Sequence, residues 1–288
     1  MSYPNHFKNQ AQSRQPGFEY EMQPLPIFDD ATTLPCGHLL KGKVAMITGG
    51  DSGIGRAVAV AYAKQGADLA IIYYNEDKDA EDTGKVITDY GQKCLLLKGD
   101  ITEESFAKEA VQKTLTTYGH IEILINNAAV QYESTSFEAI TPQQFDKTFK
   151  TNVYGAFYMT QAVLPHLKSG ASIINTTSVV AFHGHETLID YSMTKGALTT
   201  FTRSLAMSLA KSKSGIRVNA VAPGPIWTPL IPASFDASHM PTFGTNTPLG
   251  RAGQPIECAG AYVFLASDAA SYITGQTIHI NGGEIING

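Results

Sequence analysis

The sequence predicts an α/β protein: a single domain built on a doubly wound, mostly parallel seven-stranded sheet and preceded by an extended N-terminal arm. Three observations predict it. From Lys43 onward, short apolar runs alternate with helix-patterned stretches, the repetition that builds βαβ units. The apolar runs are nearly continuous rather than alternating, as in parallel strands covered on both faces. The first of them leads straight into a glycine turn, Thr48-Gly49-Gly50-Asp51-Ser52-Gly53-Ile54-Gly55, with a helix pattern behind it.

Residues 1–40 form the arm, and 41–288 the domain. Pro4, Pro16, Pro24, Pro26 and Pro35 break any helix in the arm. Its Phe18, Tyr20, Leu25, Ile27 and Phe28 favour packing against the domain or a neighbouring subunit over a free tail. A strand is expected over 44–48, then a helix over 53–65 stopped by Gly66. A second strand follows over 69–74, rich in β-branched and aromatic residues, and a helix over 78–90 ends at Gly91. The third strand covers 94–98. Thr102 with Glu103 and Glu104 caps a helix running to about 118. The fourth strand covers 121–126. Thr141-Pro142, a cap with proline in the first turn, opens one long helix over 141–168. A fifth strand over 171–177 precedes a second long helix over 189–212. The sixth strand (216–221), a helix (255–267) and the seventh strand (276–280) complete the domain.

Composition narrows the function. The chain has 288 residues, 43% hydrophobic and 16% charged, which is ordinary for a globular protein. Its net charge of -5 offers no bulk attraction for nucleic acid or an anionic membrane surface. No apolar run reaches the roughly 18 residues of a membrane span. Cys36, Cys94 and Cys258 are widely spaced and odd in number, which speaks against a disulfide framework or a metal site. The N-terminal residues lack a basic-then-apolar leader pattern, so a cytoplasmic protein is expected.

A strand, a glycine turn and a helix present backbone N–H groups and a positive helix end to a phosphate. Gly49 suits a tight turn, Gly53 close approach to a ligand, and Gly55 close helix–strand packing. The spacing is Gly-x3-Gly-x-Gly rather than the dinucleotide fingerprint Gly-x-Gly-x-x-Gly. Gly50 and Gly55 have P-loop spacing, but Arg56-Ala57 stands where Lys and Ser/Thr are needed, which disfavours triphosphate hydrolysis. The second strand ends in Tyr73-Tyr74-Asn75-Glu76-Asp77, where a ribose would lie. There is no local Arg for a 2′-phosphate, and Glu76 or Asp77 would repel one, so NAD is favoured over NADP; alternatively these acids form a solvated loop. After the third strand, Asp100-Ile101 could meet an adenine ring, or Asp100 could cap the next helix. Asn126-Asn127-Ala128-Ala129 after the fourth strand fixes main-chain groups and leaves room for a cofactor at the strand ends.

The chemical candidate is Tyr191-Ser192-Met193-Thr194-Lys195. On a helix these two residues share a face, and an ammonium beside a phenol favours the phenolate. Moving a phenol from near 10 to about 7 takes roughly 4 kcal/mol of differential interaction. Tyr74-x3-Lys78 has the same spacing but lies at a strand end. Ser178, closing the fifth strand, could hold a substrate oxygen. Asn152, within the first long helix, could orient a water or carbonyl serving Lys195.

Taken together these motifs resemble the short-chain dehydrogenase/reductase family over residues 43–288. The resemblance rests on Thr48-Gly49-x3-Gly53-Ile54-Gly55, Asp100, Asn126-Asn127-Ala128-Ala129, Asn152, Ser178, Tyr191-x3-Lys195, Pro223-Gly224-x-Ile226-x-Thr228, and Gly275 with Asn281-Gly282-Gly283. Ala129 stands where glycine is commoner. The arm is similar to that of a bacterial subgroup that includes general stress proteins.

The resemblance implies a Rossmann-like fold, a nicotinamide cofactor (NAD favoured, or NADP) and a small-molecule carbonyl or alcohol substrate. Tyr191 would be the general acid/base, and Lys195 would lower its pKa and hold the nicotinamide ribose. Ser178 would bind the reacting oxygen, and Asn152 would complete a proton relay. Pro223, Gly224, Ile226 and Thr228 would flank the carboxamide. Residues 229–251, with Trp227 nearby, would be a mobile substrate lid. Its Phe235, His239, Met240 and Phe243 suggest a small or medium neutral substrate, while His183, His185, Gln131 and Tyr132 could line the pocket or lie idle in loops. A homotetramer joined through the two long helices is expected. The rival expectation is a catalytically silent dinucleotide-binding regulatory or scaffold protein.

Overall fold

A computed structural model describes residues 3–286. Seven strands, β1 (Val44–Thr48), β2 (Asp68–Tyr73), β3 (Cys94–Lys98), β4 (Ile123–Asn126), β5 (Ser172–Thr176), β6 (Arg217–Pro223) and β7 (Thr277–Ile280), form one sheet. Their order is β3-β2-β1-β4-β5-β6-β7, and each neighbouring pair is parallel. The chain steps outward from β1 to β3, then crosses back to β4 and winds the other way. That reversal opens a crevice beyond the C-terminal ends of β1 and β4, the place where such sheets bind ligands.

Eight α-helices among the described residues cover the sheet: α1 (Gly53–Lys64), α2 (Asp77–Asp89), α3 (Glu104–Tyr118), α4 (Pro142–Phe149), α5 (Gly155–Val163), α6 (Val180–His183), α7 (Ile189–Lys211) and α8 (Pro255–Ala266). The strands feed two cores by their period of two. Ala45, Ile47, Leu69, Ile71, Ile123 and Ile125 pack with α1 and α8. Met46, Ala70, Ile72 and Leu124 pack on the other face with α3, α5 and α7. Both faces are apolar, which is why the runs read as continuous in the sequence. Each fully buried Val, Leu or Ile contributes about 1.5–3 kcal/mol.

The expected helix over 141–168 is interrupted. After α4 the chain makes a π-helical turn, Lys150–Tyr154, before α5, and it ends in a 3-10 turn, Leu164–His166. Pro165 in that turn stops the helix short of Lys168. Thr102 does not cap α3: the cap position is Glu103, without a side-chain bond, and the Thr102 N–H donates to Asp100 Oδ1 at 2.8 Å. The fourth strand begins at Ile123 rather than at Ile121.

The arm lies along the domain. Ile27 and Phe28 pack on the α1/α8 core, whereas Tyr20 and Leu25 stay largely exposed. Its deepest side chains are Phe7 and Met22, buried with Trp227, Ile231, Met240 and Ala252. Phe7 stacks on Trp227 with ring centroids 3.8 Å apart, and the Trp227 indole donates to the Pro24 carbonyl at 2.9 Å.

Candidate active site

The turn between β1 and α1 closes tightly. Gly49 has φ 61, a conformation that suits glycine. A Cβ on Gly55 would stand 1.8 Å from the Gly49 carbonyl oxygen, so glycine lets the helix sit on the loop. Asn127 ties this loop to its neighbours. Its Nδ2 donates to the carbonyls of Thr48 and Gly49 at 3.2 and 3.1 Å, and its Oδ1 accepts from Thr176 Oγ1 at 3.2 Å. The ends of β1, β4 and β5 are thereby locked together at the crevice.

Over that crevice lies a cavity of about 1020 Å³. Every residue expected to hold a cofactor lines it except Gly55 and Asn75, and Ser178, Tyr191 and Lys195 line it as well. Gly55 is used up in packing, and Asn75 turns to the arm. Asn152 does not reach the cavity. Its Oδ1 accepts from the Val130 N–H at 2.8 Å, and its Nδ2 donates to the Val130 carbonyl at 2.9 Å and to Thr194 Oγ1 at 3.0 Å. That side chain is fully committed to these bonds.

Tyr191 and Lys195 sit one turn apart on α7, both buried. Lys195 Nζ donates to the Thr176 carbonyl at 2.8 Å and lies 5.4 Å from the Tyr191 ring centroid. The Ser178 hydroxyl lies close enough to the Tyr191 phenol to favour its ionised form. Asp190 holds the start of α7: its Oδ1 accepts from the Tyr191 N–H at 2.9 Å, and its Oδ2 accepts from Thr148 Oγ1 at 2.8 Å. By contrast Tyr74 and Lys78 are exposed.

The expected lowering of the phenol's pKa is not produced by the protein's own groups. Burial pushes Tyr191 up to about 12, against the pull of the Ser178 hydroxyl. Burial also pulls Lys195 down to about 7. In so apolar a setting each group is held towards its neutral form. At the far end of the cavity, burial and then the neighbouring Glu76 push the Asp51 carboxyl up to about 7.

Sequence reasoning missed the arm's part in the site. Gln15, Pro16 and Gly17 line the cavity. Gln15 brackets Gln131, its Oε1 accepting from the Gln131 N–H at 3.1 Å and its Nε2 donating to the carbonyl. Glu19 is buried beside the glycine loop. Its Oε2 accepts from the Gly53 N–H at 2.5 Å, and its Oε1 pairs with Arg56 Nη1 at 2.5 Å. Arg56 also bonds to Thr83 Oγ1 and to the Asp51 and Asp79 carbonyls. Burial raises the Glu19 pKa, and Arg56 opposes that rise. No sequence period marks these residues; an Arg just after the glycine loop was the available hint of a buried acid.

The arm also holds the segment over 229–251. The Gln12 N–H donates to the Pro232 carbonyl at 2.6 Å, and Gln15 Nε2 to the Ala233 carbonyl at 3.2 Å. Trp227 and Met240, expected near a substrate, are instead fully buried beneath the arm. Phe235, His239 and Phe243 do face the cavity, with Gln131 and His185, while His183 and Tyr132 do not line it. Glu133, Thr187, Thr242 and Asn246 line this end too, so it is more polar than the sequence suggested.

A parallel doubly wound sheet, with a buried tyrosine and lysine beside a serine at the edge of its crevice, defines an α/β oxidoreductase of the dinucleotide-binding kind. The chain belongs to the short-chain dehydrogenase/reductase family. Residues 49–284 match the family described as enoyl-(acyl carrier protein) reductase. General stress protein 39 of Bacillus subtilis (strain 168) is 55% identical over 285 residues, covering 99% of each chain. An NADPH-dependent aldehyde reductase of Arabidopsis thaliana, described as chloroplastic, is 47% identical over 287 residues, covering 97% of this chain and 99% of its own. Among solved structures, a 3-ketoacyl-(acyl-carrier-protein) reductase from Brucella melitensis complexed with NADH aligns with a TM-score of 0.79. It is 34% identical and covers 86% of this chain and 100% of its own.

Proposed function

We propose that the protein interconverts a carbonyl and an alcohol by hydride transfer with a nicotinamide dinucleotide, Tyr191 acting as general acid/base. The observation that carries this is the convergence of the Tyr191 phenol, the Ser178 hydroxyl and the Lys195 ammonium on one cavity. Two further features suit a dinucleotide. Gly49 and Gly53, both at positive φ, let the loop approach Ala128 and Thr228, which a Cβ would crowd at 3.0 and 3.1 Å. Glu76 is buried against the cavity with an Oε1 that has no hydrogen-bond partner, an acceptor suited to a ribose hydroxyl. The cofactor residues are the cavity-lining set above, with Tyr191 and Lys195 at its nicotinamide end.

A bound nicotinamide dinucleotide supplies or accepts the hydride. The protein's groups handle the oxygen. Ser178 donates a hydrogen bond to the substrate oxygen and fixes it against Tyr191. In reduction the Tyr191 hydroxyl gives that oxygen its proton; in oxidation the phenolate takes one from the alcohol. Lys195, close to the ring and anchored on Thr176, stabilises the phenolate. Asn152 is a positioning residue, holding Val130 in the loop after β4, and its relay role would run through its carbonyl.

The reading includes NAD(H) as the favoured cofactor, because Asp51 and Glu76 both face the ribose end. It takes residues 1–40 as the arm, 41–288 as the catalytic domain and 229–251 as the substrate lid. It includes a homotetramer: the π turn and α5 expose Tyr154 and Phe157 beside Leu198 and Phe201 of α7. It also includes a cytoplasmic location, supported by three free cysteines.

The test is consumption of NADH and NADPH across aldehydes, ketones and sugars. Turnover with at least one carbonyl supports the reading. Tight binding without turnover on any would favour the silent regulatory protein, against which the complete Asn152, Ser178, Tyr191 and Lys195 set argues.

A further inference from the structure

The sequence near the end of β2 has no arginine, yet the structure brings one there from the arm. Arg14 Nη2 donates to Asn75 Oδ1 at 2.5 Å and lies 3.8 Å from Glu76 Oε1. Its Nε donates to the Pro16 carbonyl at 2.8 Å, and its Cζ sits 3.6 Å from the Phe18 ring centroid. The arm is pinned on the C-terminal side of this residue, by Gln15 on Gln131 and by Glu19 on Gly53 and Arg56. Arg14 is thus presented at a fixed place with its side chain 32% exposed. The neighbouring cations are already engaged. Lys98 pairs with Asp77 at 2.7 Å, Lys78 with Asp82 at 3.0 Å and Arg56 with Glu19 at 2.5 Å.

Beneath Arg14 lies Glu76, 1% exposed and lining the cavity. Its Oε2 accepts from the Asn75 and Tyr74 N–H groups at 3.0 and 3.3 Å, while its Oε1 accepts no hydrogen bond. A free ribose hydroxyl can donate to that oxygen. A phosphate in its place brings only acceptors and negative charge, and it needs the planar, multiply donating guanidinium above.

We propose that the N-terminal arm is part of the dinucleotide site, with Arg14 admitting a 2′-phosphate and Glu76 favouring a free 2′-hydroxyl. This rests on the dinucleotide reading above. The arm then sets cofactor choice from a segment about sixty residues upstream of the strand end it serves. Arg14 can turn from Asn75 to a phosphate while Glu76 keeps its two main-chain donors. Burial raises the Glu76 pKa.

The experiment is fluorescence titration of NADH and NADPH against the full chain, with Arg14→Ala, Arg14→Lys and Glu76→Gln. Arg14→Ala should weaken NADPH by about tenfold or more, the loss of a charge-assisted contact, and NADH by less than about threefold. Arg14→Lys should recover part of the NADPH affinity, and Glu76→Gln should shift the ratio towards NADPH. Because the readout is a ratio, general loosening of the arm cancels. An unchanged ratio in Arg14→Ala, or wild-type protein that binds NADH but not NADPH, overturns the proposal and leaves the oxidoreductase reading standing. Binding of neither dinucleotide overturns both.

Discussion

Asn152 holds both main-chain polar groups of Val130, accepting from its N–H at 2.8 Å and donating to its carbonyl at 2.9 Å. These bonds cross from the π-helical turn to the loop after β4, where Val130 lines the cavity. Asn152→Ala would leave that buried N–H and carbonyl without partners, at a cost of about 1–3 kcal/mol. Urea denaturation should show this loss. Turnover should fall on the order of tenfold or more as the loop after β4 drifts. Unchanged stability would mean that water replaces the carboxamide at no cost.

The pH dependence of stability follows from Lys195. Burial holds its folded-state pKa at about 7, below its ordinary value of 10.5. Between these values the unfolded chain binds more protons at this site than the folded one, so the contribution to stability rises with pH. The penalty is fully present below about pH 7 and is relieved as pH climbs towards 10. Thermal melts of the dinucleotide-free protein at pH 7 and pH 9.5 should therefore differ less in Lys195→Met than in the wild type. An identical pH response in the two proteins would contradict this account.

The arm is secured by aromatic packing. Phe7 stacks on Trp227 with planes 7° apart, and both rings are buried. Phe7→Ala should cost about 3 kcal/mol, at the lower end of buried Phe truncations because the arm can undock. Limited proteolysis should cut within the first forty residues of the variant before it cuts the wild type. Equal cleavage rates would show that the arm is held elsewhere.

The exposed aromatic face gives an expectation for assembly. Tyr154 and Phe157 are 47% and 45% exposed, more apolar surface than a free helix face needs. Light scattering should report a tetramer, and Phe157→Glu a smaller species. A monomeric wild type would refute the homotetramer.

Much of this was readable in the sequence, for identifiable reasons. The seven strands announce themselves because both faces are buried. Tyr191 and Lys195 are legible because helical spacing puts them on one face. Asn127 is legible as a polar residue at a strand end. Other features depend on distant parts of the chain. The π turn leaves no periodic mark in the sequence, and the contact Asn152 makes from it, to Val130, spans 22 residues. Arg14 and Glu19 reach their partners across the fold, from a segment whose composition suggests only packing. Asp190 was missed although an acid in the first turn of a helix is a readable signal. Tyr191's raised pKa was missed because burial opposes the charge that spacing alone brings near.

The most direct test of the central claim replaces the phenol and nothing else. Tyr191→Phe should bind NADH or NADPH with wild-type affinity, because the ring and its packing remain. Its turnover on a carbonyl that the wild type reduces should fall by about 10² or more, the loss of a general acid. Turnover within a few fold of wild type would contradict the assignment of Tyr191 and, with it, the mechanism.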